Sequence, residues 1–452
     1  MDRPATGREL LFQFHGVPPI GTSVSLALQH LVAMIVGCVT PPIMIASAIG
    51  LSLSDQVLLI QASLVMSAVC TLLQLYPIGG RFGSGLPVIL GVSFAYVPSM
   101  QAIAASGGGV AAIAGAMIVG GIVAVLVGLF VKKIRLLFPP VITGTVVFTI
   151  GLSLYPTAIN YMAGGTANTL ESVTAKGLPE ALAYGSWQNW LIAALTLAAV
   201  LILNNKAKGL CRLASILIGM LFGYVVALCF GMVSFADVGG AAWFSLPRFM
   251  HFGVSFDLSS CVAIGLLFAI NSIQAIGDFT ATTVGGMNRE PTDKELQGGI
   301  VAYGVSNILT ALFGGLPTAT YSQNVGIVTT NKVVNRTVFA LTGAFLLLAG
   351  LSPKFAAVLT TIPQCVLGGA TITVFSTIAM TGMKLIASQD LTARNTTIVG
   401  LSAALGVGIS QASASLSQFP DSFTMIFGKS PVVIATIMAV LLNLILPKDG
   451  KH

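Results

Sequence analysis

Gly315-Leu316-Pro317-Thr318-Ala319-Thr320-Tyr321-Ser322-Gln323-Asn324-Val325-Gly326 is the stretch that decides how this chain folds. A Gly-Gly-Leu-Pro break interrupts an apolar run, and the amide pair Gln323-Asn324 follows it. The same break occurs earlier as Gly85-Leu86-Pro87, with Ser93-Phe94 six residues beyond the proline, where Gln323 stands after Pro317. Backbone freed from helix at membrane depth is tolerated only where it is buried in protein or lines a cavity. Two broken segments at matching places in two halves point to a transporter site built at a repeat interface.

The composition sets the solvent. Of 452 residues, 55% are hydrophobic and 8% charged, with a mean hydropathy of +0.93. A soluble domain carries about 25% charged residues, so this is a polytopic membrane protein. No cleavable signal pattern precedes the first apolar run, and the N-terminus is expected to be retained. The six cysteines are scattered without a C-x-x-C pair, most of them in apolar runs. They are read as small hydrophobes, with neither disulfides nor a metal site expected.

A helix crossing the bilayer needs roughly 20 apolar residues. Fourteen such segments are expected, at 22–48, 55–76, 84–104, 109–131, 136–155, 189–205, 210–233, 258–278, 297–314, 317–333, 336–352, 356–385, 395–412 and 430–447. The third and tenth are Gly/Pro-broken and should be part extended strand, part helix. Charge supports the count. Alternating the loops between the two sides leaves only Lys176, Arg248, Lys354 and Lys429, of 21 basic residues, on the side opposite the termini. Positive residues collect on the cytoplasmic side, so both termini are expected there. The net charge of +7 is then a consequence of topology and gives no reason to expect a nucleic acid partner.

Three echoes recur in the same order. Leu28-Gln29-His30 parallels Ile273-Gln274-Ala275. Gly85-Leu86-Pro87 parallels Gly315-Leu316-Pro317. Phe138-Pro139-Pro140-Val141-Ile142-Thr143-Gly144 parallels Ile362-Pro363-Gln364-Cys365-Val366-Leu367-Gly368. Seven segments per half is odd, so the second half must be inverted. The expected fold is all-α, fourteen transmembrane segments in a 7+7 inverted repeat, with short strands in segments 3 and 10.

Ionisable groups in a membrane are costly and mark function by default. His30 is the one histidine inside an expected segment, and Asp278 lies at the end of the eighth. Gln274 and Gln323 each offer a donor pair and an acceptor, which suits a planar ligand with alternating N–H and C=O groups. Either could instead be helix–helix glue. At the first break, backbone N–H groups near Ser93 could reach a ligand and the Phe94 ring could stack on a flat one.

Taken together, these residues resemble the nucleobase–ascorbate transporter family, also called nucleobase:cation symporter-2. Its signature is Gln/Glu/Pro-Asn-x-Gly, four variable residues, then Thr and a basic residue or Gly. It is matched here by Gln323-Asn324-Val325-Gly326-Ile327-Val328-Thr329-Thr330-Asn331-Lys332. The resemblance runs from about residue 10 to the C-terminus. It includes the Gln-His of the first segment, Ile276-Gly277-Asp278-Phe279-Thr280-Ala281-Thr282, and Thr361 to Ala370. Glutamine at the first signature position is similar to bacterial members that take xanthine or uric acid.

The resemblance implies a secondary transporter, not an enzyme, importing a purine base with protons as coupling ion. It implies no cofactor, a homodimer, and the bacterial cytoplasmic (inner) membrane as location. It implies a cytoplasmic N-terminus at 1–21, core-domain halves at 22–131 and 258–352, gate-domain halves at 132–257 and 353–447, and a cytoplasmic C-terminus at 448–452. Carried over by position, Gln323 hydrogen-bonds the purine edge, Ser322, Ser93 and Phe94 hold further ring atoms, and Asn324 and His30 support the site.

The chain departs from the family at three positions. Gln274 stands where glutamate is usual, Tyr303 where aspartate is frequent, and Asn331 where threonine is usual. An amide cannot titrate, so the coupling candidate becomes Asp278. The alternatives are an uncoupled facilitator or a non-transporting purine sensor. An anion transporter of the same fold is disfavoured by the lack of Lys or Arg within the broken segments, apart from Lys332 near the cytoplasmic end.

Overall fold

In the computed structural model the described residues are 9–131, 139–175, 177–236, 238–420, 423–428 and 430–447. Residues 1–8 of the expected N-terminal segment 1–21, the expected C-terminus at 448–452 and the basic loop at 132–138 lie outside them. The main elements are α1 (Ile20–Ile49), α2 (Leu53–Leu75), β1 (Leu90–Val92), α3 (Val97–Ala105), α4 (Val110–Leu129) and α5 (Pro140–Met162). They continue with α6 (Trp187–Lys206), α7 (Ser215–Cys229), α8 (Leu258–Ala281), α9 (Asp293–Leu312), β2 (Thr318–Thr320) and α10 (Ser322–Asn331). The last are α11 (Arg336–Gly350), α12 (Pro353–Thr360), α13 (Gln364–Ala387), α14 (Ala393–Gln411) and α15 (Pro431–Ile445).

Local chemistry sets these boundaries. Gly50, at φ 75°, ends α1 in the left-handed conformation that glycine adopts without strain. Ser52, Asp257 and Thr392 cap α2, α8 and α14 by accepting from the first-turn amides. Thr292 and Glu295 form a reciprocal capping box on α9. Pro140 opens α5 at a position where its missing N–H costs nothing.

Among the described residues, seven helices are long and apolar enough to cross a membrane: Ile20–Ile49, Leu53–Leu75, Val110–Leu129, Pro140–Met162, Trp187–Lys206, Leu258–Gly286 and Gln364–Ala387. That is half of the fourteen expected segments, and the shortfall has physical causes. Segments 3 and 10 are strand plus a helix of nine or ten residues. α7 and α15 are apolar but only 15 residues long. α9 begins on Asp293-Lys294-Glu295, and α14 carries Arg394, Asn395, Thr396 and Thr397 in its first turns. The expected eleventh segment ends at Gly350, and α12 leaves it at 76°. The segment expected at 356–385 is therefore α12 and α13, separated at Pro363, whose missing N–H and fixed φ begin a new helix.

The chain divides into two compact units. The first comprises Met1–Tyr96, Gly108–Ile134 and Ala241–Ala356. In it α4 packs on α8 and α9, and α2 packs on α11. The second comprises Val97–Gly107, Arg135–Gly240 and Ala357–His452. There α5 lies along α13, where glycines remove side chains from the contact. A Cβ on Gly382 would sit 2.2 Å from the Phe148 nitrogen, and close backbone approach of this kind is how membrane helices associate. α3 clusters with the second unit although it continues the first broken segment, and 241–257 clusters with the first. Both placements differ from the expected domain boundaries.

Candidate functional site

The two Gly-Leu-Pro breaks meet within the first unit. β1 and β2 pair antiparallel, with Leu90 opposite Thr320, Gly91 opposite Ala319 and Val92 opposite Thr318. The ladder continues beyond the strands, where Ser93 N donates to Pro317 O at 3.0 Å and Tyr321 N to Ile89 O at 3.0 Å. Extended backbone in a protein interior must pair its polar groups, and each broken segment supplies what the other lacks. One expectation is corrected here. Of the backbone N–H groups around Ser93 expected to be open to a ligand, that of Ser93 itself is used in the ladder.

Side chains lock the strand pair to the surrounding helices. Thr71 Oγ1 on α2 accepts from Leu90 N and donates to Leu90 O, both at 3.0 Å. Asn307 Oδ1 on α9 accepts from Thr318 N at 2.8 Å. The Tyr321 hydroxyl donates to Val92 O at 2.6 Å, and its ring lies against Gly37 and Gly91. A Cβ on Gly91 would be 2.5 Å from Cys38 Sγ and 2.8 Å from Tyr321 Cε2, so only glycine fits.

Beyond β2, α10 begins with no side-chain cap from Tyr321. A helix N-terminus presents unpaired N–H groups and a partial positive charge. Around it lies a chain of polar contacts. Buried Asp278 on α8 accepts from Thr320 Oγ1 through one carboxylate oxygen and from Ser322 Oγ at 2.8 Å through the other. Gln274 Nε2, one helical turn before Asp278, donates to Ser322 Oγ at 3.5 Å. The carboxylate, the hydroxyls and the amide are thus linked across two helices and the end of a strand.

These contacts underlie an open polar face. Gln323, Gly326 and Thr330 on α10 are exposed, as is Gly277 on α8, and Gln274 is half-buried. Nothing stands within 4 Å of a Cβ built on Gly277 or Gly326. Asn324 points the other way. Its Nδ2 meets His30 Nδ1 at 3.1 Å and His30 O at 3.0 Å, and the His30 ring lies 4.8 Å from Phe339. Both residues are buried, so they hold α10 against α1 from behind the open face. Ser93 is half-buried, with Oγ accepting from Ala95 N at 3.2 Å, and Phe94 is buried in the turn after β1.

The sequence reading singled out Gln274, Asp278, Ser322 and Gln323, and the fold brings the first three into one hydrogen-bonded chain with Gln323 next along α10. It missed Thr320, although this residue lies inside the stretch that carries the signature. Only the strand register, which turns its hydroxyl to Asp278, distinguishes it from other threonines. It also missed the Tyr96 hydroxyl, bonded to that of Tyr303 beside the ring of Phe268. That pair gives Tyr303 a buried partner at the position where a carboxylate is frequent.

The comparisons bear on this geometry. The Permease family model matches residues 21–415. The uric acid permease PucK of Bacillus subtilis is 37% identical over 92% of this chain and 94% of its own. The xanthine permease of the same organism is 33% identical over 94% of each chain. The xanthine permease XanQ of Escherichia coli is 30% identical over 98% of this chain and 94% of its own. Among solved structures, the transmembrane domain of the cyanobacterial bicarbonate transporter BicA superposes with a TM-score of 0.59 at 14% identity, covering 93% of this chain and 97% of that one. Murine solute carrier 26 family member A9 in its inward-facing state gives 0.62 at 9% identity, covering 97% and 70%. At such identities the structural likeness speaks for the fold alone.

Proposed function

The chain belongs to the nucleobase–ascorbate transporter family of permeases and is a multi-pass membrane permease, not an enzyme; from that premise we propose that it imports a purine base, xanthine or uric acid. The observation that carries the reading is the contiguous polar chain Gln274–Ser322–Asp278–Thr320 beneath an open face bearing Gln323. Gln323 and Gln274 supply alternating donors and acceptors to the edge of a planar base, and the Ser322 and Gln323 amides at the start of α10 supply further donors. The names of the relatives, uric acid permease and xanthine permease, support the choice of ligand.

Transport is by alternating access of a core domain against a gate domain, in a fourteen-segment 7+7 inverted repeat that counts the broken segments as spans. The protein works in the cytoplasmic membrane with both termini inside, as a homodimer. Protons are the coupling ion, and Asp278 carries them in place of the usual glutamate. Its two hydroxyl donors can follow either protonation state, because a hydroxyl both donates and accepts.

The test is Asp278→Asn in proteoliposomes. Gradient-driven accumulation should vanish while purine binding persists; unchanged accumulation would remove Asp278 from the coupling. Gln274, which cannot titrate, favours a second reading as an uncoupled facilitator, in which purine equilibrates without accumulating. A small inorganic anion, which needs concentrated positive charge, fits poorly, because the ionisable group next to the open face is a carboxyl.

A further inference from the structure

α10 is 10 residues long, and an isolated helix shorter than about 12–15 residues is marginal. Its face bearing Gln323, Gly326 and Thr330 is open, so that side gives it no packing. Its position is therefore set mainly by its ends and its buried face. The N-terminal end is held by the strand ladder and by Asn324 on His30. The C-terminal end lies about 15 Å away, and an element from the far end of the sequence holds it.

Residues 10–16, a 3₁₀ turn and the bend after it, lie across the junction of α10 and α11. Leu11 is buried there, and its carbonyl accepts from Val334 N at 3.1 Å and Asn335 N at 3.2 Å; Arg336 N donates to Phe14 O at 3.1 Å. At the centre is Asn335, 0% exposed. Its Nδ2 donates to three carbonyls of this strap: Leu10 O at 2.9 Å, Gln13 O at 3.0 Å and Gly16 O at 3.2 Å. Its Oδ1 faces the other way and caps α11 by accepting from Thr337 N at 2.9 Å. One buried amide, four residues past the end of α10, thus ties the N-terminal strap to the start of α11. Between them, Lys332 closes α10 in the left-handed conformation, and its ammonium donates to Gly285 O at the end of the α8 span.

We infer that Asn335 is a positioning residue for the purine site, and that the strap it holds braces α10 from its cytoplasmic end. This deepens the purine-transport reading and rests on it for the ligand. If the brace loosens, the α10 turn bearing Ser322 and Gln323 samples more orientations, and the hydrogen bonds to a planar base are formed in only a fraction of them. Affinity falls in proportion to that fraction. No atom of the strap need touch the substrate.

Asn335→Ser separates the two functions of the side chain. Serine is a good N-cap, so α11 keeps its acceptor, whereas a single hydroxyl cannot serve three carbonyls. Leu11→Ser loosens the strap from its own side without touching α11. Two measurements on the full-length purified protein are informative: hydrogen exchange of the α10 amides without ligand, and binding of radiolabelled xanthine and uric acid.

Each single variant is expected to speed exchange across Ser322–Asn331 while α4 stays at the wild-type rate. Each should weaken purine binding roughly tenfold, the scale of one lost hydrogen-bonded contact. The double variant should be no worse than the worse single, since both act through one brace. Unchanged exchange across α10 in both singles overturns the inference. So does faster exchange with purine affinity within about twofold of wild type, a change too small to matter on this scale. Additive losses in the double variant overturn it too. If the wild-type protein binds no purine at all, the functional reading fails, and the exchange data alone still decide whether the strap braces α10.

Discussion

Gln323 and Asp278 differ in what holds them. Gln323 is exposed at the start of α10, whereas Asp278 is buried and takes hydrogen bonds from Thr320 and Ser322. Removing an exposed side chain that packs on nothing changes stability by less than about 0.5 kcal/mol. Gln323→Ala should therefore leave the melting temperature of the ligand-free protein near wild type. Purine affinity should fall by tenfold or more, because an unpaired polar group of the buried ligand costs about 1–3 kcal/mol. Calorimetry or fluorescence melting, paired with a binding isotherm, checks both halves. Wild-type affinity would remove Gln323 from the site, and a large loss of stability would mean that it is structural.

The strand pair is the element that makes the site possible. β1 and β2 have three residues each, too few to persist alone, and they survive because Thr71, Asn307 and Tyr321 satisfy their backbone. Gly91 is the tightest point in this arrangement. Gly91→Ala would place a methyl group 2.5 Å from Cys38 Sγ, and overpacking of this kind costs about 1–3 kcal/mol. The variant should melt at a lower temperature, and adding Cys38→Ala should recover part of the loss. An unchanged melting temperature in Gly91→Ala would mean that the strands are not clamped as described. Much at this scale was legible in the sequence, since twin Gly-Leu-Pro breaks can hardly continue a helix. The pairing partner and register were not legible. They depend on residues some 230 positions apart, and no local pattern specifies which carbonyl meets which N–H. Caps or a proline mark the helix starts at Ser52, Thr292 and Pro139, yet the expected segments began a few residues away, at 55, 297 and 136. The join at Ser352-Pro353 between α11 and α12 falls where the expected segments 336–352 and 356–385 were separated, whereas the break before Pro363, inside the second of them, was not foreseen.

Over the whole molecule, composition identified the membrane as the solvent, while fourteen apolar segments were expected where seven described helices meet the length and hydropathy of a full span. Composition cannot tell a helix that crosses the bilayer alone from one that is shortened, bent or polar because neighbours shield it. The candidate site was legible in part for the same reason. The signature residues Gln323 and Asn324 announce themselves, yet one proves exposed and the other buried behind the site on His30. Thr320 became visible only when the strand register placed its hydroxyl on Asp278.

The central claim is that this chain moves a purine through the face bearing Gln323, with the proton carried by Asp278 and not by residue 274. Its most direct test is uptake of radiolabelled xanthine and uric acid into proteoliposomes, with and without an inward proton gradient, comparing this chain with Gln274→Glu. Accumulation of purine by this chain above the external concentration, only when the gradient is imposed, is the predicted result. Accumulation by Gln274→Glu alone would contradict it and leave this chain a facilitator, and no purine movement by either would contradict the transport reading itself.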